Sequence, residues 1–380
     1  YTAYAKATQQ WWDPVNKLLV QRDLCDRPVY FVSSNIHAMV NLLSGSVLRA
    51  RPQIEEYIKR SKDHELIGEF EKLTHGQVRS SLENMLYYAS RSFYSETEPG
   101  KAARLNRKSE EEERGIHYVH SKEGMPVDAQ VVELSRLDST DFDPRVKVDG
   151  IEKLHNSRAI ILNIDYPLGM AAYYILVQLA ESLQNIRGVY VVGKAATLNG
   201  RIGDVMISDS VFDEHSDNTY WLNNCFTAGE VSPFLAYGSV LDNQKAVTVK
   251  GTYLQNRPYL DFYYQENYTV VEMESGPYLN ALYEYTHPVR HPTGEHINFT
   301  RLPFDLGFLH YASDTPYTRG KNLGAIRLAY LGMDSAYATT VAIARRIFEL
   351  ELSHLPEAKL NGHRSGGKAK GNKALTAVEP

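Results

Sequence analysis

Cysteine is almost missing from this chain: 380 residues carry only Cys25 and Cys225. Two thiols cannot build a disulfide framework, so a reducing compartment is the default expectation. An excess of one charge is missing too. The 41 basic residues stand against 46 acidic ones, a formal net charge of −5, which gives no reason to expect a polyanionic partner. No apolar run is long enough to span a membrane, and the N-terminus lacks the pattern of a signal peptide. The expected setting is therefore cytoplasmic, with neither nucleic acid nor membrane as partner. No Walker-type phosphate loop or dinucleotide fingerprint follows any strand, so no cofactor is expected. What is present is a hydrophobic content of 43%, enough to bury a sizeable core. Tyrosine is abundant at 26 residues, which suits pockets that need an apolar face with a polar tip.

Four segments are read along the chain. Residues 1–50 hold a first strand, Pro28 to Val32, then Ser33-Ser34-Asn35 and a helix-like run from Ile36 to Leu43. Residues 51–150 change character, with charged helical patterns at Ile54 to Ile58 and Val78 to Tyr88, and are read as a mainly helical insertion or cap. Within them, Glu98 to Gly115, with its run Lys108-Ser-Glu-Glu-Glu-Glu-Arg114, reads as a solvated linker or mobile loop. Residues 151–355 open on a βαβ unit: strand Ala159 to Ile164, apolar helix Leu168 to Gln184, strand Gly188 to Gly193. Such a unit implies parallel strands joined by a right-handed crossover. Further strands are expected at Arg201 to Ser208, Lys245 to Gly251, Tyr268 to Glu274 and Gly307 to Ala312, with helices at Pro277 to Tyr285 and Ser335 to Leu352. Residues 356–380 are rich in Gly, Lys, Ala and Asn and read as a disordered tail.

Two constellations carry chemistry. Val270-Val271-Glu272-Met273-Glu274-Ser275-Gly276-Pro277 runs from a β-branched strand into a helix, with Ser275 as a plausible N-cap and Pro277 in the first turn. Ordinary solvated glutamates at a strand end are the plain alternative. The functional reading is preferred because carboxylates at the carboxyl end of a sheet strand lie where α/β ligands dock. There a carboxylate can accept two sugar hydroxyls, and Met273 offers a soft apolar wall. The second is Leu306 to Pro316, a strand ending in Ser313-Asp314-Thr315. It could be a simple turn or cap, but a protonated Asp314 could donate to a departing nucleobase nitrogen. Together they form the minimal kit for cleaving an N-glycosidic bond.

Val271-Glu-Met-Glu274, Ala312-Ser313-Asp314 and the earlier Val192-Gly193-Lys-Ala-Ala-Thr-Leu198 followed by Arg201-Ile-Gly203-Asp204 resemble the nucleoside phosphorylase/nucleosidase superfamily. That group contains purine nucleoside phosphorylase, uridine phosphorylase and methylthioadenosine/adenosylhomocysteine nucleosidase. Order and rough spacing agree across about 159–350. The resemblance implies an α/β fold, a three-layer sandwich around a twisted mixed sheet, and cleavage through an oxocarbenium-like transition state. It further implies that Glu274 holds the ribose 2′ and 3′ hydroxyls with Glu272 beside it, and that Met273 packs on the sugar. Asp314 would be the acid, oriented by Ser313 and helped by Arg327. Gly193, Lys194 and Ala195 would line the phosphate or water side, and Tyr253, Phe262 and Gln265 would face the base. A homo-oligomer is implied as well.

The chain departs from that pattern at the acceptor site. An arginine usually precedes the loop glycine, whereas Val191 and Val192 stand here, and Lys194 offers only a point charge. The loop's second glycine is replaced by Ala196-Thr197. On the first strand, where nucleosidases carry a water-activating glutamate, the chain reads Ser33-Ser34-Asn35 with His37 nearby; His37 and Asp165 are the available substitutes. His287, His291 and His296 lie in a segment broken by Pro288 and Pro292, which is read as a loop over the pocket mouth rather than a metal site. The expectation is a nucleosidase-like hydrolase acting on a nucleoside or nucleotide. Phosphate-dependent cleavage through Lys194 is the first alternative, and a non-catalytic nucleoside-binding protein on the same fold is the second.

Overall fold

A computed structural model describes residues 2–76, 81–121, 124–251, 256–288, 290–316 and 329–356. Its centre is one mixed sheet of eleven described strands: β1 Val29–Ser33, β2 Ile116–Val119, β3 Ala129–Glu133, β4 Ile160–Ile164, β5 Ile186–Thr197, β6 Val205–Asp213, β7 Asn218–Leu222, β8 Val240–Thr248, β9 Val270–Glu272, β10 His296–Phe299 and β11 Asp305–Asp314. β4, β1, β5 and β11 run parallel in that spatial order. β1 is buried at all five positions, as a strand covered on both faces must be. Its side chains alternate between two cores. Tyr30 and Val32 join one with the helices Ile36–Ser44, Leu82–Glu96 and Ala329–His354. Val29 and Phe31 join the other with Thr2–Gln21, Met170–Ser182 and Ser275–Thr286. The fold is therefore α/β, with helices on both faces of the sheet.

β5 is the longest strand, at 12 residues, and it serves two structures at once. Its first half pairs with β1, ending at Ser33 against Val191. Its second half continues past β1 and closes a ring: β5 pairs with β11, β11 with β6, β6 with β8, β8 with β9, and β9 returns to β5 through Val271 against Ala196. The far half of β5 thus projects beyond the carboxyl ends of β1 and β4, into the crevice where open α/β sheets bind ligands.

The structure corrects several sequence expectations. Glu98 to Gly115 is not a loop: Glu98–Glu113 is an α-helix, started by the Thr97 hydroxyl accepting the Gly100 N–H at 3.0 Å with Pro99 in the first turn. Its charge run is not fully solvated. Glu111 is buried and accepts from Arg107 Nε at 2.6 Å and Tyr118 Oη at 2.6 Å, while Arg107 also reaches Asn41. The strand expected from Arg201 starts at Val205, because Arg201 to Asp204 forms a turn closed by Arg201 N–H on Asp204 Oδ2 at 2.7 Å. Ser275 is not the N-cap of its helix; Glu274 is. Residues 51–150 also contribute β2 and β3, which extend the main sheet beyond β4 by antiparallel pairing, with β2 at the edge. The expected tail lies outside the described residues. Among the described residues no helix is long and apolar enough to cross a membrane.

Candidate active site

Glu272 ends β9 and organises the turn that follows. Its Oε2 accepts the backbone N–H of Glu274 at 2.7 Å and of Ser275 at 2.8 Å. The Thr248 hydroxyl donates to Oε1, and the same hydroxyl oxygen accepts the Gly276 N–H at 2.8 Å. Three of the orphan donors at the start of the Ser275–Thr286 helix are thereby satisfied within a buried setting, where an unmade hydrogen bond is costly. Burial pushes the Glu272 carboxyl up, but the adjacent His310 ring, the Thr248 hydroxyl and the Ser275 N–H outweigh it and hold it below the usual glutamate range.

Glu274 has a different environment. It is 4% exposed, and its described hydrogen bond is a long one from its neighbour's Met273 N–H at 3.3 Å. Burial first, and repulsion from Glu272 second, push its carboxyl well above the usual range. Room beside it comes from Gly193: a Cβ there would lie 2.8 Å from His310 Cδ2 and 3.3 Å from Glu274 Oε2. His310, opposite Gly193 in the β5–β11 register, is fully buried, with Nε2 3.5 Å from Glu272 Oε2 and 3.4 Å from Ser275 Oγ. Around Glu274 stand Tyr166, Tyr311 and Tyr278, whose hydroxyls are raised chiefly by burial, Tyr311 to about 12. Tyr166 Oη lies 3.3 Å from Tyr311 Oη. Ser33, buried at the end of β1, neighbours the Tyr278 hydroxyl. Met273 is half-buried, and its carbonyl accepts the Gly169 N–H at 2.9 Å, which ties the 166–169 loop to the site.

Asp314 ends β11 opposite Ala196 and is half-buried. Ser313 Oγ lies 2.8 Å from Asp314 Oδ2 and 3.3 Å from the Ala195 carbonyl. One hydroxyl hydrogen cannot serve both acceptors. With Asp314 ionised the serine donates to it; with Asp314 protonated the acid donates to Ser313, which turns its hydrogen to Ala195. The serine can therefore hold either protonation state.

The other expected residues are more scattered. Lys194 is exposed, with Nζ 5.9 Å from the Tyr166 ring centre. His37 is exposed in the first turn of the Ile36–Ser44 helix, its N–H capped by Asn35 Oδ1 at 3.0 Å, within electrostatic reach of Asp165. Phe262 and Gln265 are exposed on the Arg257–Gln265 helix. Phe262 lines a separate groove of about 580 Å³ with Tyr259, Tyr263 and Glu214. Tyr253 and Arg327 lie outside the described residues. In the histidine segment, His287 stacks on Tyr283, His291 contacts Glu284 and His296 stacks on Trp221. Glu272, Glu274 and His310 are the described trio whose donor atoms, within 4.8 Å of one another, could share a cation. Glu272 is a poor ligand there, since its oxygens are already occupied by backbone and Thr248 donors.

Sequence reasoning passed over His310, Thr248, Tyr166 and Tyr311. One signal was present for His310: a lone imidazole in the otherwise apolar run Leu306 to Ala312.

The family profile described as "Family of unknown function (DUF6909)" matches residues 1–349. The chain belongs to this family. No curated protein matches it. Among solved structures, this DUF6909 chain is similar to 5′-methylthioadenosine/S-adenosylhomocysteine nucleosidase from Neisseria meningitidis, at 12% identity and a TM-score of 0.41, over 65% of this chain and 94% of that one. It is also similar to a methylthioadenosine phosphorylase sourced from an Antarctic soil metagenomic library, at 11% identity and a TM-score of 0.41, over 64% and 81%. A third is uridine phosphorylase from Schistosoma mansoni, at 12% identity and a TM-score of 0.39, over 63% and 80%. These belong to the same group of enzymes that the sequence motifs resemble. At such scores the overlap decides nothing about chemistry, which this chain's own residues must carry.

Proposed function

We propose that this protein cleaves the N-glycosidic bond of a nucleoside or nucleotide, with water as acceptor. The observation that carries the reading is the contrast between two buried glutamates two residues apart. Glu272 is saturated by internal donors, whereas Glu274 is nearly unbonded, faces the space that Gly193 leaves, and stands beside Met273. A buried carboxyl whose described donor is one long backbone N–H is suited to a ligand that brings its own, and the vicinal hydroxyls of ribose do so. Their two hydrogen bonds favour the carboxylate form, so binding would release the proton that burial holds on Glu274.

Asp314 supplies the acid. As the C1′–N bond lengthens, its electrons pass to the base, and a ring nitrogen takes the Asp314 proton. Ser313 then turns its hydrogen from the Ala195 carbonyl to the new carboxylate. Water bonds to C1′ and gives one proton to solvent, and the Asp314 carboxylate takes one back from solvent, so the proton delivered to the base is replaced and the acid is restored. Positive charge on the sugar in the transition state is favoured by the nearby glutamates. Phe262, in its separate groove, and Gln265, exposed on the same helix, are not contacts to the base in this proposal. Arg327 as a helper of Asp314 and Tyr253 as a contact to the base remain part of it. So do a purine base, a homo-oligomeric assembly and a cytoplasmic setting.

Phosphate as acceptor is the second reading, favoured by one observation: Lys194 is exposed beside Tyr166, at the edge of the same crevice. The test of the main reading is Asp314→Asn. It should lower base release by roughly 10²- to 10⁴-fold, the usual contribution of a general acid, with nucleoside affinity retained. A protein that only binds nucleosides would show no release to lose.

A further inference from the structure

The helix Arg257–Gln265 is anchored by Leu260 and Tyr263, which are buried in a small core with Val247 and Val271. Tyr259 and Phe262 stay open to solvent, at 44% and 56% exposure. The spacing 259, 262, 263 gathers three rings on one side of the helix, with the Tyr263 ring centre 5.7 Å from each of the other two. These rings form one wall of the groove of about 580 Å³ in which Phe262 was found.

The rest of the groove is charged. Glu214 and Asp217 come from the turn between β6 and β7, and Lys250 from the segment that follows β8. Glu214 is fixed in place: the Tyr263 hydroxyl donates to its Oε1, and the Lys250 N–H donates to its Oε2 at 2.9 Å. Asp217 is exposed and adds a second negative charge. Lys250 is the one cationic side chain of the described lining, so carboxylates outnumber it two to one.

Two carboxylates repel an anion, and a neutral ring that stacked on the aromatic wall would leave them unmatched. A cation with an apolar skin answers both parts of the lining. Aromatic faces attract positive charge, most strongly when the ion sheds little water to reach them. The same aromatic cluster already holds one ammonium group: Lys245 Nζ lies 3.9 Å from the centre of the Tyr268 ring, which packs edge-on against Tyr263 at 5.6 Å.

We infer that this groove binds a small organic ammonium ion, of the alkylated kind that choline exemplifies. Its volume lies within the range of small-molecule pockets. The inference stands on this groove alone and does not depend on the nucleoside reading of the Glu274 site.

Calorimetric titration of the full chain with choline and with 3,3-dimethylbutanol, its neutral isostere, tests the assignment. Choline should bind about tenfold more tightly than the alcohol, the gain expected of a cation moved onto aromatic faces. Phe262→Ala, at an exposed position, should cost choline about fivefold or more, with melting curves to check that the variant is folded. Asp217→Asn should weaken choline by about threefold and leave the alcohol unchanged, because only the ion responds to a lost charge. Lys250→Met should act in the opposite sense and tighten choline by a similar factor. Equal affinity for choline and the alcohol would overturn the inference, as would choline binding that Phe262→Ala leaves intact, or no saturable choline binding at all. Phosphocholine should bind no more tightly than choline; tighter binding would assign the groove to a phosphate-bearing headgroup and overturn its assignment to a simple ammonium ion.

Discussion

Replacing Glu274 by glutamine should stabilise the protein, and increasingly so as pH rises. Glu274 is 4% exposed, and its carboxyl is held well above the ordinary glutamate value of 4.5 by burial and by Glu272. In the unfolded chain the same group ionises near that ordinary value. Below it, both states are protonated and the group is neutral to stability. Above it, unfolding releases a proton that the native state retains, so native stability falls with pH until the raised native value is reached. Glutamine is close in shape to a protonated glutamate and has no proton to lose. The difference between variant and wild type should therefore be near zero at pH 4 and grow by up to about 1.4 kcal/mol per pH unit above the ordinary value. For a chain of this size that corresponds to roughly 2 °C in Tm per pH unit. Paired denaturation series from pH 4 to 8 measure it, and titrating groups away from Glu274 cancel in the difference. Adding Glu272→Gln removes the second cause of the shift, so the growth should stop at a lower pH, without vanishing, because burial is the larger cause. A difference that stays flat with pH would refute the account of Glu274.

Gly193→Ala should cost about 1–3 kcal/mol and abolish nucleoside binding, because the new methyl would press on the immobile His310 ring and on Glu274. Gly68→Ala, in the helix His64–Thr74 with nothing within 4 Å, is the matched control and should instead stabilise by about 0.5–1 kcal/mol; chemical denaturation compares the two. Thr248→Val should destabilise by about 1–3 kcal/mol, since Gly276 N–H and Glu272 Oε1 lose a buried partner together. The same substitution should lower nucleoside affinity, because the turn that aims Glu274 is loosened. Asp314→Asn should separate chemistry from binding as stated above, read by base release and calorimetry on the same preparation.

The parallel core was legible because its signals are local. β1, β4 and the first half of β5 are short β-branched runs, and a helix between two of them implies a parallel crossover. The carboxylates were legible for a similar reason: Glu272 and Glu274 follow an apolar strand directly. Their different roles were not. Glu272 is made structural by Thr248, 24 residues earlier, and by His310, 38 residues later, and such partners come from sheet closure rather than from spacing. The ring itself was hidden for the same reason, since β9 of three residues returns to β5 across more than seventy positions. The N-terminal helix did leave a signal, with Trp11, Val15 and Leu19 spaced four apart and all buried. Glu98–Glu113 misled because a dense charge run suggests solvent, whereas one glutamate of the run, Glu111, is drawn inward by Arg107 and Tyr118.

The central claim is bond cleavage at the Glu274 and Asp314 site. It is tested most directly by measuring free base released from a panel of nucleosides and nucleotides, with and without inorganic phosphate, by wild type and by Asp314→Asn. Release without phosphate, yielding free ribose or ribose 5-phosphate, is expected of wild type, and loss of that release in the variant. Nucleoside binding with no release by wild type under either condition would contradict it.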